Sequence, residues 1–549
     1  MVYGCAPISI LHGTARTRRL AFSRSPHIPQ SLTRIADRGT YFASRGLPFL
    51  SIDARGTARS GGKFQPFIQE AQDGYDVVEW LAKQPYCNGK VSMWGGSYAG
   101  YNQWVTAKEF PAHLTTIVPV ASPYAGADLP FNGHAFAPYQ VQWLTFYHPE
   151  SKRPPRYEEA DFWNTIFREW YEAGAALKDL DTRVGNPSTT FQRWLEHPYQ
   201  DAYWDSFNPT AEQYAAISVP ILSITGIYDE DQLGALAHYR QHMRNASSAA
   251  RERHYLVIGP WDHGGTRTPA LKFRGITVGA PSLVDLPQLH VDWYAWTMAG
   301  GRRPEFLKNK VAYYVMSADR WRYAESLDAV TATSLPLFLD STANPTDLAI
   351  AGTLRAAAPR GKPDGFLYDP RDVSGAALEI EADTSSLTEQ RVVQANRGKH
   401  LVYQTTPYAE DTEVSGFFRL STWISIDQPD TDFRVTVYEV AQDGSTVALS
   451  QDLVRARYRE DPRTPRLIDT KAPLRYDFNQ FPFVSRQIKK GSVLRLIIGP
   501  NNSVYTEKNY NTGGVVAAET VKDARPVNVV VHHSQEYPSI FYVPLGLAD

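Results

Sequence analysis

The chain has 549 residues, 43% apolar and 12% aromatic, which is the composition of a globular protein with about three or four domains. Its 56 lysine and arginine residues nearly balance 58 aspartate and glutamate residues, so no basic field is available to hold nucleic acid. No stretch approaches the roughly eighteen apolar residues of a membrane span. Cys5 and Cys87 are too few for a disulfide framework or a cysteine-based zinc site.

The N-terminal region lacks the apolar core of a secretory signal, so we expect a cytoplasmic protein. Residues 14–38 are rich in arginine, and no secondary structure is assigned to them. Arg16, Arg18, Arg19 and Arg24 are compatible either with a transit peptide or with a basic start of the chain.

The first clear element is an apolar run at residues 47–52, which predicts a buried parallel strand. The loop at residues 53–62 resembles a phosphate-binding loop only in its glycines. A second glycine separates Gly61 from Lys63, and no serine or threonine follows that lysine, so the phosphate and metal ligands are misplaced. Nucleotide binding is therefore not predicted.

Helices and strands alternate over the next fifty residues, which predicts a parallel sheet with right-handed crossovers. A helix is predicted at residues 70–83, a strand at 90–94, a helix at 101–108 and a strand at 114–120. The apolar face of the first helix consists of Ala71, Tyr75, Val78 and Ala82.

Ser97 lies in the turn between the strand at residues 90–94 and the helix that follows. This turn has the pattern of a nucleophile elbow, in which only small residues fit two positions before and two positions after the serine. Gly95 and Ala99 occupy those positions, and Gly100 stands just behind. The chain therefore misses the strict G-x-S-x-G pattern by one methyl group.

Residues 121–218 interrupt the alternation with an aromatic stripe at helical spacing and with several prolines, which predicts a helical insertion. An insertion at the carboxyl edge of such a sheet tends to cover the site. The stripe consists of Phe162, Ile166, Phe167, Trp170 and Tyr171.

Two further strands are predicted at residues 220–225 and 254–258, and each leads into a charged turn that holds Asp229 or His263. Ser97, Asp229 and His263 thus follow the order nucleophile, acid, base, each just past the end of a predicted parallel strand. Such strand ends meet at one edge, where His263 can take the Ser97 proton and Asp229 can orient the imidazole. Asp231 or Asp262 as the acid, and His254 or His238 as the base, are the alternatives. His254 and His238 fit a structural role better.

Beyond about residue 300, short alternating strands separated by turn residues predict an all-β domain, most simply a sandwich. These strands are predicted at residues 311–316, 335–339, 416–426, 433–440, 493–498, 527–531 and 540–543. His532 and His533 would face opposite sides of a strand, and no carboxylate or cysteine cluster accompanies them, so no metal site is predicted.

Three motifs resemble those of the cocaine-esterase-like hydrolases, a family grouped with the X-Pro dipeptidyl-peptidases and the α-amino-acid ester hydrolases. They are Gly95 to Gly100, Gly226-Ile-Tyr-Asp229 and Gly259-Pro-Trp-Asp-His263. The resemblance implies an α/β-hydrolase sheet with a helical cap and a C-terminal jelly roll, and no cofactor. It implies a serine hydrolase that cleaves small-molecule esters or amides through an acyl-serine.

The predicted domains are a catalytic domain at residues 1–130 and 216–305, a helical cap at 131–215 and a β-sandwich at 306–549. We make no prediction of the oligomeric state.

The backbone N–H of Tyr98 is the assignable oxyanion donor that the resemblance implies. The family takes a second donor from a tyrosine in a Thr-Pro-Tyr segment, where this chain has Ala6-Pro7-Ile8, and isoleucine has no donor. Either the chain lacks the family's usual start, or Tyr3 or Tyr41 compensates. We expect low activity, because one missing donor costs about 2.7–4 kcal/mol of transition-state stabilisation.

Asp128, Glu230 and Asp231 resemble the carboxylates with which α-amino-acid ester hydrolases hold an ammonium group. The family pattern has one more residue between the catalytic acid and the pair, so ordinary solvated turn carboxylates remain the other interpretation. A competing hypothesis is a catalytically silent protein that binds a small ligand on the same fold.

Overall fold

The computed structural model describes most of the chain. The described residues are 8–12, 30–57, 60–145, 157–359 and 361–547. Several sequence-based assignments lie outside them, namely those of Tyr3, Ala6, Pro7, Arg16, Arg18, Arg19 and Arg24. Among the described helices, none combines the length and the apolar character needed to cross a bilayer.

Eight strands in the described part of the chain form one mixed sheet. They are β1 (Ile8–His12), β2 (Phe49–Ile52), β3 (Val91–Gly96), β4 (Leu114–Val120), β5 (Ile221–Tyr228), β6 (His254–Asp262), β7 (Val311–Val315) and β8 (Arg320–Ala324). The order across the sheet is β8-β7-β6-β5-β4-β3-β1-β2. The five strands from β3 to β7 are parallel, which places their carboxyl ends at one edge.

The strand predicted at residues 47–52 differs from the prediction in its pairing and its burial. It forms β2, which lies at the edge of the sheet and is only partly buried. Its partner is β1, and the two strands are antiparallel. Because β1 lies between them and is also antiparallel to β3, β2 runs in the same direction as β3 without pairing with it.

Fourteen helices accompany the strands in the described residues. They are α1 (Gln30–Ala43), α2 (Glu70–Ala82), α3 (Tyr98–Ala107), α4 (Tyr139–Thr145), α5 (Ala160–Glu172), α6 (Leu180–Arg183), α7 (Thr189–Leu195), α8 (Ala202–Asp205), α9 (Ala211–Ala216), α10 (Gln232–Asn245), α11 (Ser248–Arg251), α12 (Leu286–Ala299), α13 (Ala376–Glu381) and α14 (Arg391–Ala395).

Helices cover both faces of the mixed sheet. Successive side chains of a strand point to opposite faces, so neighbouring residues of one strand contact helices on different sides. Val118 and Val120 of β4 contact a core cluster that includes α1 and α12. Ile117 contacts the cluster that includes α2 and α3. α12 begins after Asp285, whose side chain caps the helix by accepting a hydrogen bond from the Gln288 N–H.

Helices α4 to α9 form the insertion predicted between residues 121 and 218. Its core is aromatic and includes Trp143, Trp163, Phe167, Trp170, Phe191, Trp194 and Trp204. The same cluster includes Tyr98 and Tyr101 of α3, so the insertion packs directly on the helix that follows the predicted nucleophile.

The C-terminal half of the described chain is a β domain, as predicted. Its thirteen strands are β9 (Thr333–Asp340), β10 (Gly352–Arg355), β11 (Asp364–Tyr368), β12 (Leu401–Thr405), β13 (Thr412–Gly416), β14 (Arg419–Ile426), β15 (Asp432–Val440), β16 (Thr446–Arg455), β17 (Leu474–Phe478), β18 (Val484–Ile488), β19 (Val493–Pro500), β20 (Val527–His532) and β21 (Ile540–Leu545). Along β14 every second residue is buried, which confirms the half-buried strand expected from the alternation of the sequence.

The strand predicted at residues 311–316 belongs to a different sheet from the one expected. It forms β7, which pairs in parallel with β6, and β8 follows it as an antiparallel partner. A short apolar run predicts a strand but not the partner of that strand, because pairing is decided by tertiary contacts. The first sheet thus extends past residue 305, and the proposed domain boundaries stay a prediction.

Candidate active site

Ser97 occupies a strained turn between β3 and α3. Its backbone angles are φ 62° and ψ −128°, a region that costs a residue with a side chain roughly 1–3 kcal/mol. The surrounding backbone holds this conformation. The Ser97 N–H donates to the Val120 carbonyl at 2.9 Å, and the Ser97 carbonyl accepts from Gly100 N–H at 2.7 Å and Tyr101 N–H at 3.0 Å.

The structure explains why Ala99 is tolerated where the elbow pattern has glycine. A Cβ atom built on Gly95 would lie 2.5 Å from the Cβ of Ala99, so the pair has room for one methyl group and not for two. A Cβ on Gly100 would lie 2.6 Å from the Val120 carbonyl oxygen. The departure from the pattern is therefore sterically compatible with the turn.

Asp229 and His263 form a buried hydrogen-bonded pair. His263 Nδ1 lies 2.7 Å from Asp229 Oδ1. His263 is 2% exposed and Asp229 is 5% exposed. The Thr225 hydroxyl donates to Asp229 Oδ2 at 2.8 Å, and the Asp231 N–H donates to Oδ1 at 3.1 Å. Although burial opposes ionisation, His263 and these donors hold the pKa of Asp229 below its ordinary value.

The Ser97 hydroxyl lies beside a carboxylate. Among the described residues its hydrogen bond goes to Asp231 Oδ2 at 3.5 Å. The same oxygen lies 3.7 Å from His263 Nδ1. One oxygen of Asp231 thus lies near both the Ser97 hydroxyl and the His263 imidazole.

Asp128 and Asp231 gather near this point, whereas Glu230 lies at the surface. Asp128 accepts from the N–H groups of Tyr124 and Gly234. Burial raises the pKa of Asp128 to about 7. Burial, followed by the charges of Asp128 and two other carboxylates, raises the pKa of Asp231 well above its ordinary value.

The Glu230 side chain is 45% exposed and lies 3.3 Å from the guanidinium of Arg274. Of the three carboxylates that the sequence suggests for amine binding, only Asp128 and Asp231 therefore belong to the buried group.

The alternative bases occupy structural positions. His254 is buried, with Nε2 2.9 Å from the Ser223 hydroxyl and Nδ1 3.0 Å from His242 Nδ1. His238 is buried between the Tyr214 hydroxyl, at 2.6 Å, and the Pro123 carbonyl, at 3.1 Å. Their ring nitrogens are used within the core, in agreement with the structural role that their sequence positions favour.

The alternative acids are less well placed than Asp229. Asp262 Oδ1 accepts from the Gly265 N–H at 2.7 Å and so stabilises the turn after β6. Asp231 is 3.7 Å from His263 Nδ1, a full ångström farther than Asp229. The geometry therefore favours Asp229 as the partner of His263.

The tyrosines suggested as oxyanion donors have different surroundings. Tyr98 is the first residue of α3, and its side chain is buried. The Tyr41 hydroxyl donates to Gln288 at 3.1 Å, and this hydrogen bond joins α1 to α12. Ile8 lies in β1, next to β3, and carries no side-chain donor.

Two residues that the sequence patterns did not single out lie against the elbow. The Arg267 guanidinium donates to the His263 carbonyl at 3.1 Å, and a Cβ on Gly96 would lie 2.4 Å from its Nη1 atom. Glu70 is buried and accepts a hydrogen bond from the Tyr98 hydroxyl. The sequence indicated Glu70 only as the first residue of the helix predicted at residues 70–83.

One group of described residues could offer ligands to a metal ion. Asp229, Glu230 and His263 present donor atoms within 4.8 Å of one another. Since His263 Nδ1 and Asp229 Oδ1 already form a hydrogen bond with each other, an ion at this position would have to replace that bond.

Comparisons with known proteins agree with this architecture. Residues 11–265 match the family model of the X-Pro dipeptidyl-peptidase (S15 family), and residues 307–540 match that of the X-Pro dipeptidyl-peptidase C-terminal non-catalytic domain. The chain is 26% identical over 535 residues to cocaine esterase of Rhodococcus sp. (strain MB1 Bresler), which covers 92% of this chain and 89% of that protein.

Two solved structures share the fold. An α-amino acid ester hydrolase superposes with a TM-score of 0.79 at 20% identity, covering 92% of this chain and 87% of its own. An aminopeptidase from a marine sediment thaumarchaeon superposes with a TM-score of 0.77 at 20% identity, covering 94% and 87%. Over most of its length the chain is therefore similar to the X-Pro dipeptidyl-peptidase (S15) family, with an α/β-hydrolase sheet followed by a domain that matches the family's C-terminal non-catalytic domain.

Proposed function

We propose that Ser97, His263 and Asp229 are the catalytic triad of a hydrolase that cleaves small acyl esters or amides. The observation that carries this proposal is the buried hydrogen bond of 2.7 Å between His263 and Asp229, at the sheet edge that also holds the strained Ser97. A free hydroxyl is a poor nucleophile, and a neighbouring base activates it by taking its proton. The carboxylate fixes the imidazole tautomer and stabilises the imidazolium.

The reaction begins with a rotation of the Ser97 side chain from Asp231 toward His263. As the Ser97 oxygen bonds to the acyl carbon, His263 takes its proton and the carbonyl electrons move to oxygen. The bond to the leaving group then breaks, and His263 gives the proton to the departing alcohol or amine. Water repeats the sequence on the acyl-serine and releases the acid.

The backbone N–H of Tyr98 stabilises the oxyanion. The first N–H groups of a helix have no carbonyl partner within the helix, and they carry the positive end of its dipole. Tyr98 begins α3 directly after the nucleophile, so its N–H suits an anion formed at Ser97. With Ile8 in place of the family's tyrosine, we expect turnover to be roughly a hundredfold to a thousandfold below that of a two-donor site.

The substrate that we propose carries an ammonium group near the acyl carbon. Asp128 and Asp231 have raised pKa values because they are buried close to other carboxylates, and a substrate cation would relieve that repulsion. Asp231 also contacts the Ser97 hydroxyl, so an ammonium held there lies beside the reacting atoms. An α-amino ester should therefore be cleaved faster than its des-amino analogue, and equal kcat/KM values would contradict this assignment.

Hydrolysis of a nitrophenyl ester tests the proposed chemistry. We expect activity in the wild type and a loss of about 10⁴-fold or more in His263→Ala. The matched control is His113→Ala, because His113 Nδ1 also pairs with a glutamate, Glu79, at 2.8 Å but lies partly exposed elsewhere on the fold. Equal activity of the wild type and His263→Ala would contradict the role of His263, and a wild type without activity would favour the silent ligand-binding alternative.

A further inference from the structure

A buried hydrogen-bonded contact joins the start of α2 to the residue that follows the nucleophile. The Tyr98 hydroxyl donates to Glu70 Oε1 and accepts from the Phe67 N–H at 3.2 Å. The Gln69 N–H donates to Glu70 Oε2 at 3.0 Å. Glu70 and Tyr98 are 4% and 3% exposed, so this contact is shielded from water.

A second tyrosine of α3 strengthens the same contact. The Tyr101 hydroxyl donates to the carbonyl of Phe207 at 2.7 Å, and the carbonyl of Phe67, at 3.3 Å, is a second and weaker acceptor of the same proton. Phe67 adopts a left-handed backbone with φ 69°, and its ring lies edge-on to the Tyr98 ring at 5.0 Å. Phe67 is thus bonded through both its N–H and its carbonyl to two successive turns of α3.

Burying the carboxyl of Glu70 at this position costs free energy of desolvation. Its hydrogen bonds come from a phenol and a backbone N–H, and no salt bridge to it occurs among the described residues. Burial raises its pKa to about 7. Since an apolar side chain of similar volume would fill the site without this cost, packing alone does not account for a carboxyl here.

The position of the Tyr98 backbone matters because the turn before it is strained. A strained conformation persists only when its surroundings over-determine it. The Ser97 backbone is held on one side by the Val120 carbonyl. The Tyr98 side chain is held on the other side by Glu70, which limits rotation of the peptide between Ser97 and Tyr98.

We propose that Glu70 is a positioning residue that acts through the Tyr98 hydroxyl to aim the Tyr98 N–H at the oxyanion. This inference rests on the proposed function, since it concerns the donor of the same site. An oxyanion donor stabilises the transition state only when it is aimed at the developing charge, so a small rotation of this peptide lowers kcat without weakening substrate binding.

Steady-state kinetics on a nitrophenyl ester, with the inhibition constant of a trifluoromethyl ketone analogue, tests the inference in the full chain. We expect Tyr98→Phe and Glu70→Leu to lower kcat about tenfold or more, to leave KM within about twofold and to weaken the analogue by the same factor. Glu70→Gln keeps an acceptor for the Tyr98 hydroxyl and should retain kcat within about threefold.

Tyr101→Phe is the matched control. Tyr101 is buried on the same helix and bonds the same Phe67, but its N–H donates to the Ser97 carbonyl inside the helix. We expect a lower melting temperature with kcat within about twofold of the wild type. If Tyr98→Phe does not fold, Glu70→Leu carries the same expectation, with circular dichroism as the check on folding.

Unchanged kcat in Tyr98→Phe or Glu70→Leu, or an equal loss in Tyr101→Phe, would overturn the inference while the wild type still hydrolyses the ester. A wild type without hydrolysis would instead overturn the proposed function, and the inference with it.

Discussion

Two buried groups of charged residues in this chain show opposite electrostatic behaviour. In the β domain, Arg455 is 1% exposed and pairs with Asp432 at 2.8 Å and with Glu507 at 2.9 Å. Although burial opposes ionisation, Arg455 holds the pKa of Asp432 below its ordinary value. Near Ser97, burial raises the pKa of Asp128 to about 7, and neighbouring carboxylates add to the effect of burial on Asp231.

The difference is the presence of a buried cation. Each carboxylate of the Arg455 group has the guanidinium as a close partner, which is the condition for buried charges to be tolerated. Beside Ser97, the Arg267 guanidinium offsets only a small part of the effect that burial and the neighbouring carboxylates have on the pKa of Asp231. The β-domain group therefore serves the fold, whereas the carboxyl groups at the sheet edge have raised pKa values, and a cationic substrate would favour their ionised forms.

The largest expected effect comes from Asp229→Asn, which keeps the shape of the site and removes the charge on its acid. The amide favours the wrong imidazole tautomer, so we expect kcat on a nitrophenyl ester to fall about 10⁴-fold. Circular dichroism should show a folded protein. A loss smaller than about tenfold would contradict the role of Asp229.

The second largest effect is expected from removing the cation of the Arg455 group. Arg455→Met leaves Asp432 and Glu507 buried without their cation, and we expect a loss of about 3–5 kcal/mol in the free energy of unfolding by urea. Arg193→Met removes an exposed pair with Glu196 and should cost less than about 1 kcal/mol. Equal losses in the two variants would show that the buried group is not special.

The third effect concerns the carboxyl groups beside Ser97. Asp231→Asn should lower the ratio of kcat/KM for an α-amino ester to that for its des-amino analogue by roughly 10–100-fold, because a charged hydrogen bond is lost. Glu230→Gln is the control, since Glu230 is exposed and paired with Arg274, and it should change the ratio by less than about threefold. An unchanged ratio in Asp231→Asn would remove Asp231 from substrate recognition.

The smallest expected effect is a pH dependence of the ratio of kcat/KM for a cationic ester to kcat/KM for its uncharged analogue. Asp128 is neutral below its pKa of about 7 and charged above it, so the preference for a cationic ester should rise as pH increases from 6 to 8. A trimethylammonium ester is the suitable probe, because its charge does not titrate. We expect an increase of up to about tenfold, and a ratio that falls with pH would contradict the assignment.

The sequence predicted the parts of the fold that local patterns control. Ser97, Asp229 and His263 each follow a parallel strand directly, because strand runs and polar turns are visible in the chain itself. The pairing of β2 with β1, and the place of β7 in the first sheet, depend on distant segments and were assigned wrongly.

The buried face of α2 also differs from the face that the sequence pattern predicted. Its buried residues are Glu70, Gly74, Val78 and Leu81. A Cβ on Gly74 would lie 1.8 Å from the Thr106 hydroxyl oxygen, so α2 approaches α3 through a glycine that a pattern of apolar residues does not include. Glu70 could not be predicted as buried, because its partner Tyr98 lies in another helix.

Labelling with a fluorophosphonate probe, followed by mapping of the modified peptide, tests whether Ser97 is the nucleophile. We expect covalent modification of the wild type at Ser97, no modification of Ser97→Ala, and strongly slowed modification of His263→Ala. Equal labelling of the wild type and Ser97→Ala, or modification at another residue, would contradict this role of Ser97.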